Sequence, residues 1–158
     1  MMKPLRGFAR NRVGPTRGHT MRIFALFLAC CFSLASPVHA MDDAMKSKTQ
    51  EIIRAQMEAL GRDDADAAYG YAAPAIKGMF PQASGFLEMV KHGYAPVYRH
   101  QSVDFREIRE GSGSIGQTVH IVDADGVPWD ALYTLEQQPD GTWKISGCVL
   151  LKAVEQAV

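Results

Sequence analysis

An α+β domain is predicted, with N-terminal helices packed on a four-stranded antiparallel meander, and three observations predict it. Apolar residues recur at helical spacing over the first half of residues 41–158, and around Gln101 the period changes to two. Two turn signals that end in glycine, Ala124-Asp125-Gly126 and Pro139-Asp140-Gly141, punctuate the second half. A meander with one apolar face must be covered, and the amphipathic helices upstream are the available cover.

Residues 1–40 are a different kind of chain. They hold Lys3, Arg6, Arg10, Arg12, Arg17 and Arg22 and no acid, followed by an apolar run from Ile23 to Ala35. Ser36-Pro37 breaks that run, and Val38-His39-Ala40 supplies small or modest residues. A basic start, a short apolar centre and a small-residue cut site make a secretory signal peptide. The run is well short of the ~20 residues a membrane-spanning helix needs, so no stable membrane span is expected. Met21-Arg22 would open a compact signal by itself, which makes Met21 a candidate start. The expected location is periplasmic or secreted, after cleavage near Ala40.

The remaining 41–158 segment suits one domain with one core. Six of the 17 basic residues leave with the leader and all 17 acids stay, so 11 minus 17 gives a net charge of −6. A net-negative surface repels phosphate backbones, so nucleic acid is excluded as an expected partner. Cys30 and Cys31 lie in the leader, so Cys148 alone remains and no disulfide closes within the domain. A packed thiol is the expected state of Cys148.

From Ala44 to Leu60, Met45, Ile52, Ile53, Met57 and Leu60 form one apolar stripe, and Gly61 ends the helix. Asp63 or Asp64 caps a short second helix that runs through Tyr71, before Pro74 interrupts. Ala75–Phe80 and Phe86–Lys91 read as two further helical pieces, the latter with Ser84 as its cap and Gly93 as its stop. The stretch Gly93-Tyr94-Ala95-Pro96-Val97-Tyr98-Arg99 reads as an aromatic linker; Tyr94 and Tyr98 either cap the core or form a pocket rim.

Four strands follow, at about 102–110, 115–123, 127–138 and 142–151. The two glycine-closed loops pair Asp123 with Val127 and Gln138 with Thr142, so that Phe105 faces Val119, Val119 faces Ala131, and Ala131 faces Val149. The odd-numbered face is then apolar, with Val103, Phe105, Ile115, Val119, Ile121, Trp129, Ala131, Tyr133, Leu135, Trp143, Ile145, Val149 and Leu151. A one-residue slip would turn a strand's apolar set outward.

One row of that face differs: Glu107, Gln117, Tyr133 and Gly147. A buried carboxylate is costly without hydrogen-bond partners, and an amide and a phenol stand in line with it. Two readings are open. In one, the row lines a cavity between sheet and helices; in the other, the first strand bulges after Phe105, Ile108 turns inward and Glu107 points to water. Glu107, Gln117, Tyr133, Tyr94, Tyr98 and Trp129 are the pocket candidates.

On the outward face, Asp104, His120 and Asp130 share a row, which reads as a solvated ion pair in preference to a metal site. Asp123-Ala124-Asp125-Gly126 lacks the further oxygen ligands of a calcium loop. No metal, cofactor or catalytic constellation is assigned. Leu132, Cys148, Leu150 and Val122 form an expected outward apolar patch, a candidate homodimer surface with the two copies of Cys148 close together.

Taken together, Phe86-Leu87-Glu88-Met89-Val90, Gly93-Tyr94, Pro96-Val97-Tyr98-Arg99, Ser102-Val103-Asp104-Phe105, Tyr133-Thr134-Leu135-Glu136, Gln138-Pro139-Asp140-Gly141, Trp143-Lys144-Ile145 and Gly147-Cys148-Val149-Leu150 resemble a bacterial family of exported proteins known only as a domain of unknown function. The resemblance covers about Gln50 to Leu151. More distantly, the order of elements resembles the nuclear-transport-factor-2-like superfamily, also called cystatin-like or SnoaL-like. That resemblance implies a cone with a pocket between helices and sheet. Its members include ketosteroid isomerase, polyketide cyclases, dehydratases and noncatalytic binding modules, and the isomerase pattern is not matched residue for residue. The function expected first is a noncatalytic module for a small, partly apolar ligand or a periplasmic protein. The alternative is a pocket enzyme of the isomerase, cyclase or dehydratase type, with Glu107 as base and Tyr133 as donor.

Overall fold

The computed structural model describes residues 38–153. The leader, the candidate Met21 start and the export they imply concern residues that lie almost wholly outside that range. Among the described residues, no helix is long and apolar enough to cross a membrane.

Five helices precede a four-stranded antiparallel sheet of order β1-β2-β3-β4. Helix α1, Val38–Gly61, starts earlier than the Ala44 expected and buries Ile53, Gln56, Met57 and Leu60 against the sheet layer. The chain then turns through Asp63, whose φ of 60° is left-handed, a conformation that aspartate tolerates better than most residues. Asp64 caps α2, Ala65–Gly70, by accepting from the Ala67 amide at 3.1 Å. Helix α3, Pro74–Met79, opens on a proline, where the missing N–H costs nothing.

Two helical expectations need correction. Helix α4, Ala83–Gly93, begins after Gln82 without a side-chain cap, so Ser84 lies inside the first turn and does not cap it. The segment read as a linker contains a helical turn, α5, Ala95–Tyr98. Pro96 pre-sets the φ of that first turn and is itself buried.

The strands are β1 His100–Gly111, β2 Ser114–Asp123, β3 Pro128–Gln137 and β4 Trp143–Lys152. Both expected hairpin closures are present, with Asp123 N donating to Val127 O at 3.0 Å and Gln138 N to Thr142 O at 2.7 Å. Gly126 and Gly141 take φ of 82° and 80°, the left-handed position the loops require. Phe105 faces Val119 and Val119 faces Ala131, as the turns dictate.

The outer strands depart from the expected register through two bulges. In β1, Phe105 pairs with Val119 and Ile108 with Gln117, so Arg106 and Glu107 together oppose Thr118. In β4, Ile145 pairs with Leu135 but Gly147 with Thr134, which leaves Ser146 as the extra residue. One inserted residue reverses the facing of all that follows. Ala131 therefore faces Leu150 and not Val149, Cys148 faces inward opposite Tyr133, and Val149 and Leu151 are exposed. The outward apolar patch is thus Leu132, Val149 and Leu151, and the expectation that Cys148 and Leu150 belong to it is overturned. With them goes the contact between two copies of Cys148.

The segment between α2 and α3 also joins the sheet. Ile145 N donates to Tyr71 O and Ala73 N donates to Ile145 O, both at 2.8 Å, just before the β4 bulge. The core lies between helices and sheet, with Ile53, Leu60, Phe86, Val119, Tyr133 and Leu135 among its members.

Candidate functional site

A cavity of about 320 Å³ opens between the helices and the inner face of β3 and β4. Its helical side comes from Gln56 and Leu60 of α1, Ile76 and Met79 of α3, Phe86, Met89 and Val90 of α4, and Val97 of α5; Phe80 and Tyr94, which flank these helices, complete it. Its sheet side is Tyr133, Ile145 and the bulged run Ser146-Gly147-Cys148. Phe86 stacks at a tilt on Tyr69, with centroids 5.8 Å apart, and meets the Phe80 edge at 6.3 Å. The Tyr69 hydroxyl donates to the Phe80 carbonyl at 2.6 Å and so fastens the end of α3.

Among the described residues, no acid, lysine, arginine or histidine lines this wall. Its polar groups are few and mostly engaged. The Gln56 amide donates to Ala68 O at 3.2 Å, the Tyr94 hydroxyl to Cys148 O at 3.0 Å, and the Ser146 hydroxyl to Thr134 O at 3.2 Å. Tyr133 is the exception. Its side chain is buried and its hydroxyl has no hydrogen-bond partner among the described residues. The Cys148 thiol stands beside it and engages it only weakly, since sulfur is a poor acceptor and the pair falls outside hydrogen-bond geometry. Burial pushes the Tyr133 phenol well above its usual range, and the nearby Cys148 adds to the shift. Burial likewise pushes the Cys148 thiol up to about 12. Both groups are therefore neutral near pH 7.

The structure separates the six sequence candidates. Tyr133 and Tyr94 line the cavity. Gln117 is buried directly opposite Tyr133 but does not line the cavity; its amide donates to the carbonyls of Arg106 at 3.2 Å and Glu107 at 3.1 Å, within the β1 bulge. Tyr98 sits away from the cavity and donates to Asp63 at 2.7 Å, and with Lys91 it holds that carboxylate below its ordinary pKa. Trp129 also lies elsewhere, with its indole N–H bonded to Asp123 at 2.9 Å and Lys152 over its ring.

Glu107 is outside. Its exposed carboxylate accepts from Arg109 at 3.0 Å, and Ile108 takes its place in the inward row. An isomerase-type mechanism with Glu107 as base is thereby contradicted. Gly147, expected opposite Tyr133, instead faces Thr134. On the other face of the sheet, His120 bonds Asp130 at 2.8 Å while Asp104 pairs with Arg106 at 2.9 Å. No cluster of three or more metal-ligating side chains occurs among the described residues.

Much of the wall was not singled out from sequence. Gln56 is a polar residue on the long α1, and Ile76, Met79, Phe80, Phe86, Met89 and Val90 sit on or beside short helices whose apolar spacing announces burial but not a gap. Cys148 was assigned to the wrong face because the four apolar residues Cys148–Leu151 carry no alternation to fix their parity.

Among solved structures, the chain is similar to a crystal structure of an NTF-2 like protein of unknown function from Burkholderia xenovorans LB400. The two share 13% identity at a TM-score of 0.46, over 72% of this chain and 88% of that one. No curated protein matches the sequence. Residues 42–158 match the family described as "Domain of unknown function (DUF4864)", and since the match spans nearly all the described domain, the chain belongs to that family.

Proposed function

We propose that this domain is a noncatalytic module that binds a small, largely apolar ligand in the cavity between helices and sheet. One observation carries the reading: a wall without charge, about 320 Å³ in volume, lies against a buried phenol whose hydroxyl is unpaired. Sites for small molecules are commonly concave and apolar, with few polar groups to fix orientation. The basic and apolar leader supports a place of work in the periplasm or outside the cell. A thermal-shift screen of the purified protein against extracted lipids and metabolites tests the binding. At least one fraction should raise the melting temperature, and a Val90→Trp substitution that fills the cavity should remove the response. A protein that responds to no fraction would defeat the reading.

A second reading concerns the outer face. Leu132 lies directly opposite Val149, and the two are 44% and 55% exposed where a solvated sheet should be polar. These residues support self-association through the sheet, as a homodimer. Sedimentation should then show a dimer at micromolar concentration and a monomer for Leu132→Lys. A native monomer, or a dimeric variant, rejects the surface.

A further inference from the structure

We propose that the cavity takes an uncharged ligand whose single hydrogen-bond acceptor, a ketone or ester carbonyl on an apolar frame, is received by the hydroxyl of Tyr133. This inference rests on the binding reading above.

Each other polar group of the wall has a use within the fold. The protons of Gln56, Tyr94 and Ser146 go to backbone carbonyls. Tyr133 alone among them has no partner in hydrogen-bond geometry, its donor being engaged by no more than the weakly accepting Cys148 sulfur. A buried hydroxyl without a partner raises the free energy of the empty protein, and an acceptor brought in by a ligand removes that cost. The gain is then specific to ligands that carry the acceptor.

Charge narrows the class further. A carboxylate or phosphate in the cavity would lose its hydration and meet no lysine, arginine or histidine. Two ionisable groups at the inner wall, Tyr133 and Cys148, are held in their protonated forms by burial, so they add no charge to pair with a cation either. Access requires a small rearrangement, because the Tyr133 hydroxyl has less than 1 Å² of exposed surface. Met89, an unbranched side chain with several rotors, and the small Cys148 thiol also line the cavity and are the side chains best able to yield by rotation.

Three probes with one frame test the inference: acetylnaphthalene, ethylnaphthalene and naphthoate, titrated into the purified protein and into Tyr133→Phe. That variant keeps the ring and loses only the unpaired hydroxyl, so it should fold. The ketone should bind about three- to tenfold tighter than the hydrocarbon in the native protein, and equally in the variant. Naphthoate should bind weakest to both. Equal affinity for ketone and hydrocarbon in the native protein, or tighter binding of naphthoate, would overturn this inference and leave the binding module standing. A ketone preference that persists in Tyr133→Phe would also overturn it. If no probe binds and the extract screen is likewise empty, the parent reading fails instead.

Discussion

The side-chain amide of Gln117 donates to the backbone carbonyl of Glu107 at 3.1 Å, while the Glu107 carboxylate turns away to Arg109. The same amide donates to Arg106 O at 3.2 Å, so one buried side chain serves both carbonyls of the β1 bulge. A bulge interrupts the ladder and leaves backbone groups to be satisfied by other means. Gln117 is thus a structural partner of Glu107 in its backbone and not in its charge.

Gln117→Leu should therefore destabilise the domain by about 1–3 kcal/mol, since two part-buried bulge carbonyls lose their donor. Urea denaturation followed by circular dichroism measures it. A change below roughly 0.5 kcal/mol would show that water reaches those carbonyls.

Glu107→Gln should be nearly silent. The carboxylate is exposed and pairs only with an exposed arginine, an arrangement worth between about 0 and 1 kcal/mol. Ligand affinity, measured with whatever compound the extract screen identifies, should be unchanged. A clear loss of affinity would return Glu107 to the cavity.

Tyr133→Phe should raise the melting temperature of the ligand-free protein. Among the described residues the hydroxyl has no partner in hydrogen-bond geometry beyond the weak Cys148 thiol, so its removal relieves most of the cost of burying a poorly paired polar group, about 1 kcal/mol. Differential scanning calorimetry reads the shift, and a lower melting temperature would reveal a partner for that hydroxyl.

Cys148 predicts a pH dependence with a definite sign. Its thiol is raised from 9.0 to about 12 on folding, so the unfolded chain releases the proton first as pH climbs. The stabilisation is fully present below about pH 9 and is lost progressively between about 9 and 12. Cys148→Ala should flatten part of that alkaline decline, and Tyr133, also raised, should account for some of the remainder. In a chain with Cys30 and Cys31 replaced by serine, iodoacetamide should modify the native protein slowly and the urea-unfolded protein quickly. A thiol that reacts at the same rate in both would show that Cys148 is open to solvent.

The central hairpin of β2 and β3 was fully legible, because a glycine-closed turn fixes its register and strict alternation from Ile115 to Ile121 confirms it. The outer strands were legible in extent but not in phase. In β1 the signal for a bulge was present, since Phe105 and Ile108 cannot both face inward on an unbroken strand. In β4 it was absent: the residue that bulges, Ser146, sits between Ile145 and a glycine, and the apolar run beyond it suits either face. The cavity is lined by elements far apart in sequence, such as α1 with Gln56 and β4 with Gly147, and such a gap has no local pattern. Tyr133 could be placed inward from alternation alone, but its lack of a partner depends on every neighbour's geometry.

Ile145 is bonded on both sides of its peptide to the Tyr71–Ala73 segment, and Pro74 immediately afterwards begins the helix that carries Ile76 and Met79. Rim and floor of the cavity are therefore tied through one residue. A fluctuation that widens the cavity by moving α3 off β4 must either bend α3 beyond that tie or release it, and release frees the amides of Ala73 and Ile145 in the same event. Their hydrogen exchange would then share one opening free energy and slow together on ligand binding, so the gate and the basin behave as a single dynamic unit.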